Sequence, residues 1–128
     1  MRRFLTWLGG LVALILIAAI GLYIATGGDQ AVPATVTDDP NLPAVDVLGN
    51  RLHHASFGPE DGPVVIVLHG GPGGDFRSLL PLAALAKDGY RVQFFDQRGA
   101  GLSQRVDEGA LTLDGHIAEL DALGKLFS

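Results

Sequence analysis

Apolar residues run almost unbroken from Phe4 to Ala25, interrupted only by Thr6 and small residues. A helix needs roughly 20 apolar residues to cross the hydrocarbon core of a bilayer, and this run meets that length. Secretory signal peptides carry shorter apolar regions of roughly 7–15 residues, followed by a small-x-small cleavage site. The segment Ala31, Val32, Pro33, Ala34 has something of that form, but it lies late and contains Pro33. The pattern is therefore read as an uncleaved signal-anchor over residues 1–26, with a cleaved signal and a secreted product as the alternative. Arg2 and Arg3 would keep the N-terminus in the cytoplasm and place the rest outside, in the periplasmic or extracytoplasmic space.

Residues 27–43 are rich in Gly, Pro, Thr, Asp and Ala. Pro33, Pro40 and Pro43 oppose helix and deny strand pairing, so this stretch reads as a linker. Residues 44–128 then show strand and helix periods. Val45–Leu48 and Arg51–Phe57 flank Gly49 and Asn50, which is a hairpin signal. Val64–Leu68 is five apolar residues, four of them β-branched, and predicts a strand covered on both faces. A helix follows, with Ser78 as a candidate cap, Pro81 in its first turn, Leu82, Leu85 and Ala86 on one face, and Gly89 as C-terminal cap. Tyr90–Phe95 predicts a strand with Val92 and Phe94 on one side. Thr112 caps a last helix to about Phe127, whose stripe is Ile117, Leu120, Leu123 and Phe127, with His116 and Glu119 off it.

The predicted order is hairpin, strand, helix, strand, helix. Alternation of strands and helices implies an α/β fold built on a mostly parallel sheet. In such sheets ligands bind beyond the carboxyl ends of the strands. Two Gly-bearing loops sit at such ends: His69–Gly74 after one strand, and Asp96–Ser103 after the next.

Composition narrows the function. The chain has 128 residues, which is room for one domain at most, and it has no cysteine, so thiolate metal sites and Cys nucleophiles are excluded. Its net charge of −5 comes without a basic stripe, which argues against nucleic-acid binding. His53 and His54 are adjacent on a predicted strand, so their side chains diverge and cannot chelate one metal. His116 reads as a solvated helix residue. No metal and no cofactor is expected.

The loop at His69 has four glycines in six residues. A dinucleotide site would need Gly-x-Gly-x-x-Gly, but the third glycine would fall at Phe76. A phosphate loop would need a following Lys, and there is none. The remaining use is an oxyanion hole, in which a backbone N–H faces the carbonyl oxygen that becomes negative in the transition state. In α/β hydrolases one donor comes from a His-Gly-Gly loop after the third strand.

The pair of motifs, His69-Gly70-Gly71-Pro72-Gly73 and then Asp96-Gln97-Arg98-Gly99-Ala100-Gly101-Leu102-Ser103, resembles the proline iminopeptidase family of α/β-hydrolase serine peptidases. The stretch from Thr112 with Asp114 and Leu120 is also similar, and the resemblance covers roughly 45–128. It implies that the Gly71 N–H is an oxyanion donor, typically worth roughly 3 kcal/mol of barrier. It further implies that Pro72 fixes the loop, that Gly70, Gly73 and Gly74 allow its turns, and that His69 braces it rather than acting as catalytic base. Asp96, Arg98 and Ser103 would hold the second loop against the first. Ser103 makes a poor nucleophile, because its context lacks the second Gly of Gly-x-Ser-x-Gly.

A serine hydrolase needs a nucleophile, a base and an orienting acid within reach of each other. No Gly-x-Ser-x-Gly occurs in these residues. The expectation is therefore the front part of a membrane-anchored α/β hydrolase, inactive by itself. The whole enzyme would act on a small peptide or other small-molecule substrate and release N-terminal residues through a serine acyl-enzyme. The alternatives are an epoxide hydrolase, dehalogenase or esterase of the same fold, or a non-catalytic membrane-tethered remnant. Epoxide hydrolases and dehalogenases place Asp at the elbow where peptidases and esterases place Ser.

Overall fold

The computed structural model describes residues 2–27, 33–71 and 73–128, which form two compact units, 1–32 and 33–128. In the first unit, α1 (Arg2–Thr26) is a single uninterrupted helix. Its stretch Thr6–Thr26 is long and apolar enough to cross a membrane, and a signal sequence would pass the same test. At 1.5 Å per residue, those 21 residues span about 31 Å. Trp7 and Tyr23 are both about four-fifths exposed near its two ends.

The second unit is a four-stranded sheet with helical segments on both faces. The strands are β1 (Ala44–Val47), β2 (Asn50–Phe57), β3 (Val64–Leu68) and β4 (Arg91–Phe95), in the spatial order β1-β2-β4-β3. The sheet is mixed rather than mostly parallel. β1–β2 and β2–β4 are antiparallel, and only β3–β4 runs parallel. The hairpin places β2 against the edge of β4 opposite β3, so only the crossover between β3 and β4 yields a parallel pair.

The hairpin turn falls one residue earlier than its composition suggests. Val47 pairs with Asn50, and the two turn residues are Leu48 and Gly49, at φ 49° and 79°. Positive φ at both positions is the two-residue turn that matches strand twist. This register buries Val47 and Leu52 together; a slip by one would turn both to solvent.

β3 is covered on both faces in part, with Val64 and Ile66 on one side and Val65 and Val67 on the other, whereas β4 is buried on both from Val92 to Phe95. Val92 and Phe94 pack on one side with Val67 and Phe76, while Phe95 packs on the other with Val47, Leu52, Leu123 and Phe127. Each such side chain, fully buried, contributes about 1.5–3 kcal/mol. β3 lies at the sheet edge, and Leu68 at its end is half exposed.

The segment between β3 and β4 is wound as a 3₁₀ helix over Phe76–Asp88. Pro81 lies inside it and has no N–H to return to a carbonyl four residues back, which disfavours continuous α winding. Its cap is Asp75 rather than Ser78: the Asp75 carboxylate accepts from the Arg77 N–H at 2.9 Å. Phe76, Leu79, Ala83 and Ala86 face the core with Leu85, whereas Leu82 is exposed. Gly89 ends the segment at φ 87° as expected.

The final helix, α2 (Leu113–Phe127), is capped by Thr112, whose hydroxyl accepts from the Gly115 N–H at 3.1 Å. Its inward face is Glu119, Leu123 and Phe127; Ile117 is exposed and Leu120 borderline. The helix is thus turned from the expected stripe, because Glu119 is buried against Arg98. Of the expected linker, residues 28–32 lie outside the described residues, but the part from Pro33 belongs to the second unit. Thr35 and Val36 are buried, and the Val36 N–H donates to Leu102 in the second loop at 2.9 Å.

Candidate active-site cleft

The two Gly-bearing loops leave the carboxyl ends of the adjacent parallel strands β3 and β4, so strand pairing alone brings them side by side. Leu68 pairs with Phe95, which sets His69 beside Asp96 and Gln97. Here Gln97 does work that the motif alone does not reveal. Its backbone N–H donates to His69 Nε2 at 3.1 Å, and its side-chain amide donates to the His69 carbonyl at 2.8 Å. Because Nε2 accepts, the imidazole carries its proton on Nδ1. His69 is almost wholly buried.

Asp96 is a buried hub. Its Oδ1 accepts from the Phe76 N–H just past the first loop at 3.0 Å. Its Oδ2 accepts from the Leu102 N–H within the second loop at 2.9 Å and meets His53 Nδ1 at 2.9 Å. One carboxylate thus holds both loops and β2. Gly101 passes so close that any Cβ there would collide with this carboxylate, and its φ of 50° also favours glycine.

Arg98 and Ser103 are also central, but they reach other partners than the first loop. Arg98 Nε pairs with Glu119 at 2.9 Å and its Nη2 donates to the Gly115 carbonyl at 3.0 Å, so it clamps the second loop to α2. Ser103 is fully buried, donates to the Asp96 carbonyl at 2.5 Å and accepts from the His53 N–H at 2.9 Å. With its hydroxyl occupied in both directions it has no nucleophile's freedom.

His53 and His54 do diverge. His53 stacks on Phe76 at 5.1 Å, and His54 stacks on Phe127 at 5.2 Å on the opposite face while bonding Gln93 Oε1 at 2.6 Å. Burial pushes the His54 imidazole below its usual pKa. At the mouth of the first loop, the Arg77 guanidinium holds the Asp75 carboxyl below the usual carboxylate range.

Between the loops lies a cleft of about 270 Å³, walled by Gly71 and Gly73 on one side, by Gln97 and Arg98 on the other, by Leu111 just before α2 and by His116 in its first turn. Gly71 (φ 74°) and Gly73 (φ 82°) adopt the left-handed backbone that their loop requires. Gly71 is exposed to the cleft, and its N–H is paired with no acceptor among the described residues. Gly70 is exposed beside His69, and Gly74 closes the turn by donating to the Gly71 carbonyl at 3.5 Å. Pro72 lies outside the described residues.

Three residues of this site carried no assigned role in the sequence. Gln97 lay in plain view within the second motif. Glu119 had one signal, the need of a buried Arg98 for a counter-charge. His116, expected in solvent, is half-buried and lines the cleft. Nothing in helical periodicity marks it, because its place depends on how α2 meets the second loop.

No family model matches the chain. A proline iminopeptidase of Heyndrickxia coagulans is 46% identical over 78 residues, which is 59% of this chain and 27% of that protein. Among solved structures, a proline iminopeptidase-related protein of Thermus thermophilus superposes with a TM-score of 0.58 at 35% identity, over 68% of this chain and 32% of that one. An epoxide hydrolase of Vigna radiata superposes with a TM-score of 0.58 at 30% identity, over 69% of this chain and 29% of that one. The chain spans about a third or less of the length of these relatives.

Proposed function

We propose, from the premise that this chain carries part of an α/β-hydrolase fold similar to that of the proline iminopeptidases, that its two-loop cleft is the oxyanion side of a hydrolase site. The observation that carries the reading is Gly71. Its N–H is unpaired among the described residues, Gly71 lines the cleft, and the loop around it is tied by hydrogen bonds through His69, Gln97 and Asp96. A donor fixed before the reaction stabilises developing negative charge without reorganising, which is why such donors act strongly.

The reaction proposed is hydrolysis of an N-terminal peptide bond. A serine would attack the carbonyl, the C–N bond would break as the shortened peptide leaves with a protonated amine, and water would then hydrolyse the acyl-enzyme, while each oxyanion leans on Gly71. These residues contain no Gly-x-Ser-x-Gly, and in this reading they supply the oxyanion side alone. α1 would tether the domain to a membrane, with Arg2 and Arg3 on the cytoplasmic side and Trp7 and Tyr23 near the two interfaces.

The test uses the product of the natural gene in its own membranes. Release of proline from L-proline p-nitroanilide, together with covalent labelling of a serine by a fluorophosphonate, supports the reading. A second reading, epoxide hydrolysis, draws on the similarity to the Vigna radiata enzyme and to an epoxide hydrolase of Mycobacterium tuberculosis, 42% identical over 59 residues. Turnover of styrene oxide without serine labelling would establish that reading and overturn the first.

A further inference from the structure

His116 stands where the cleft meets α2, and its Nδ1 is buried without a hydrogen-bond partner among the described residues. A buried polar atom left unpaired costs about 1–3 kcal/mol, so such atoms are rare and call for an explanation. Each neighbouring polar group has a partner of its own, and none of those described meets Nδ1. The Thr112 hydroxyl accepts from Gly115, and the Thr112 carbonyl takes the His116 backbone N–H. The Gln97 amide goes to the His69 carbonyl. Arg98 spends its fork on Glu119 and the Gly115 carbonyl. His116 and Gln97 also line a second, more apolar cavity of about 240 Å³ that includes Leu68, Ile117 and Leu120.

We propose that His116 is a specificity-determining residue of the cleft, whose Nδ1 hydrogen-bonds a neutral polar group, an amide or a hydroxyl, of a substrate bound beside Gly71. The inference rests on the cleft being the substrate site. Electrostatics select the ligand class. Among the described residues of the cleft wall Arg98 alone is formally charged, and Glu119 neutralises it, so a carboxylate or phosphate finds no free cation among them. An amide finds the Gly71 N–H at one end and an imidazole at the other. Nδ1 is covered in the free protein, so the bond forms with a turn of the ring about its Cβ–Cγ bond.

The probe is L-prolinamide, titrated into the full 128-residue chain in detergent micelles and followed by nitrogen NMR. The Gly71 amide and the His116 imidazole should shift together with one dissociation constant. His116→Phe keeps a flat ring without the nitrogen and should weaken binding roughly fivefold, the size of one hydrogen bond. His116→Asn sets a polar atom near the place of Nδ1 and should retain most of the affinity, whereas His116→Gln, which mimics Nε2, should not. Amide-exchange protection of β4 in each variant checks that the fold survives. If the Gly71 amide shifts while His116→Phe binds as tightly as the parent, the role of His116 is overturned and the reading of the cleft stands. If neither group responds to prolinamide, both fall.

Discussion

Gln97 holds His69 at two points, with its backbone N–H on the imidazole Nε2 and its side-chain amide on the carbonyl. The two contacts are not equivalent. The first satisfies a half-buried backbone donor that has no other acceptor among the described residues, while the second adds one ordinary bond. Gln97→Ala should therefore loosen the first loop by about 1 kcal/mol, and His69→Phe, which strands the Gln97 N–H, by about 1–3 kcal/mol. Amide exchange of Gly70, Gly71 and Gly73 reads the difference. Equal effects from both variants would show that the imidazole contact is worth no more than the side-chain bond.

Arg98 and Glu119 form an ion pair with side chains only 10% and 1% exposed. Removing one partner leaves the other charged and buried, which typically costs about 3–5 kcal/mol. Arg98→Ala should detach α2 from the second loop and raise amide exchange throughout the helix. Replacing both residues, Arg98→Met with Glu119→Leu, should recover most of the loss, since two apolar groups need no counter-charge. A double variant as unstable as the single one would mean that the pair also fixes a backbone geometry that packing cannot restore.

The outer edge of β3 pairs with no strand among the described residues, and Leu68 at its end is half exposed. A β-branched edge of this kind is a template for further pairing. The detergent-solubilised chain should self-associate as its concentration rises, and Leu68→Lys should reduce that association, as seen by sedimentation. A chain that stays monomeric at every concentration contradicts this.

Stability should depend on His54. Burial lowers the pKa of the folded imidazole, with the charges of Arg91 and His53 acting in the same direction and Gln93 opposing. The unfolded chain titrates near about 6.5. Between that value and the lower folded one, the unfolded state binds more protons, so stability rises with pH in this window. It should be fully present above about 6.5, fall as the pH drops below, and level off under the folded pKa. Denaturation midpoints at neutral and acidic pH, compared between the parent and His54→Phe, isolate the effect. An unchanged slope in His54→Phe assigns it elsewhere.

The elements were legible because their signals are local. The Val64–Leu68 run, the Thr112 cap and the Gly89 stop all specify structure within a few residues of themselves. The two loops were legible as a pair, since strand ends and glycines mark them. What misled was every decision that depends on a distant partner. Leu82 looks like a core residue, yet Pro81 changes the winding and turns it out. Glu119 looks like surface, yet Arg98, 21 residues earlier, draws it inside.

By itself, then, the sequence determined the apolar first helix, the α/β alternation and the two strand-end loops, because hydrophobic period and turn chemistry act over short range. Only the tertiary structure decided that the sheet is mixed, that β4 is the strand most completely buried, that Gln97 and His116 line the cleft, and that Glu119 is buried against Arg98. Those outcomes follow from which buried polar groups find partners across the chain, and no local pattern encodes the pairing.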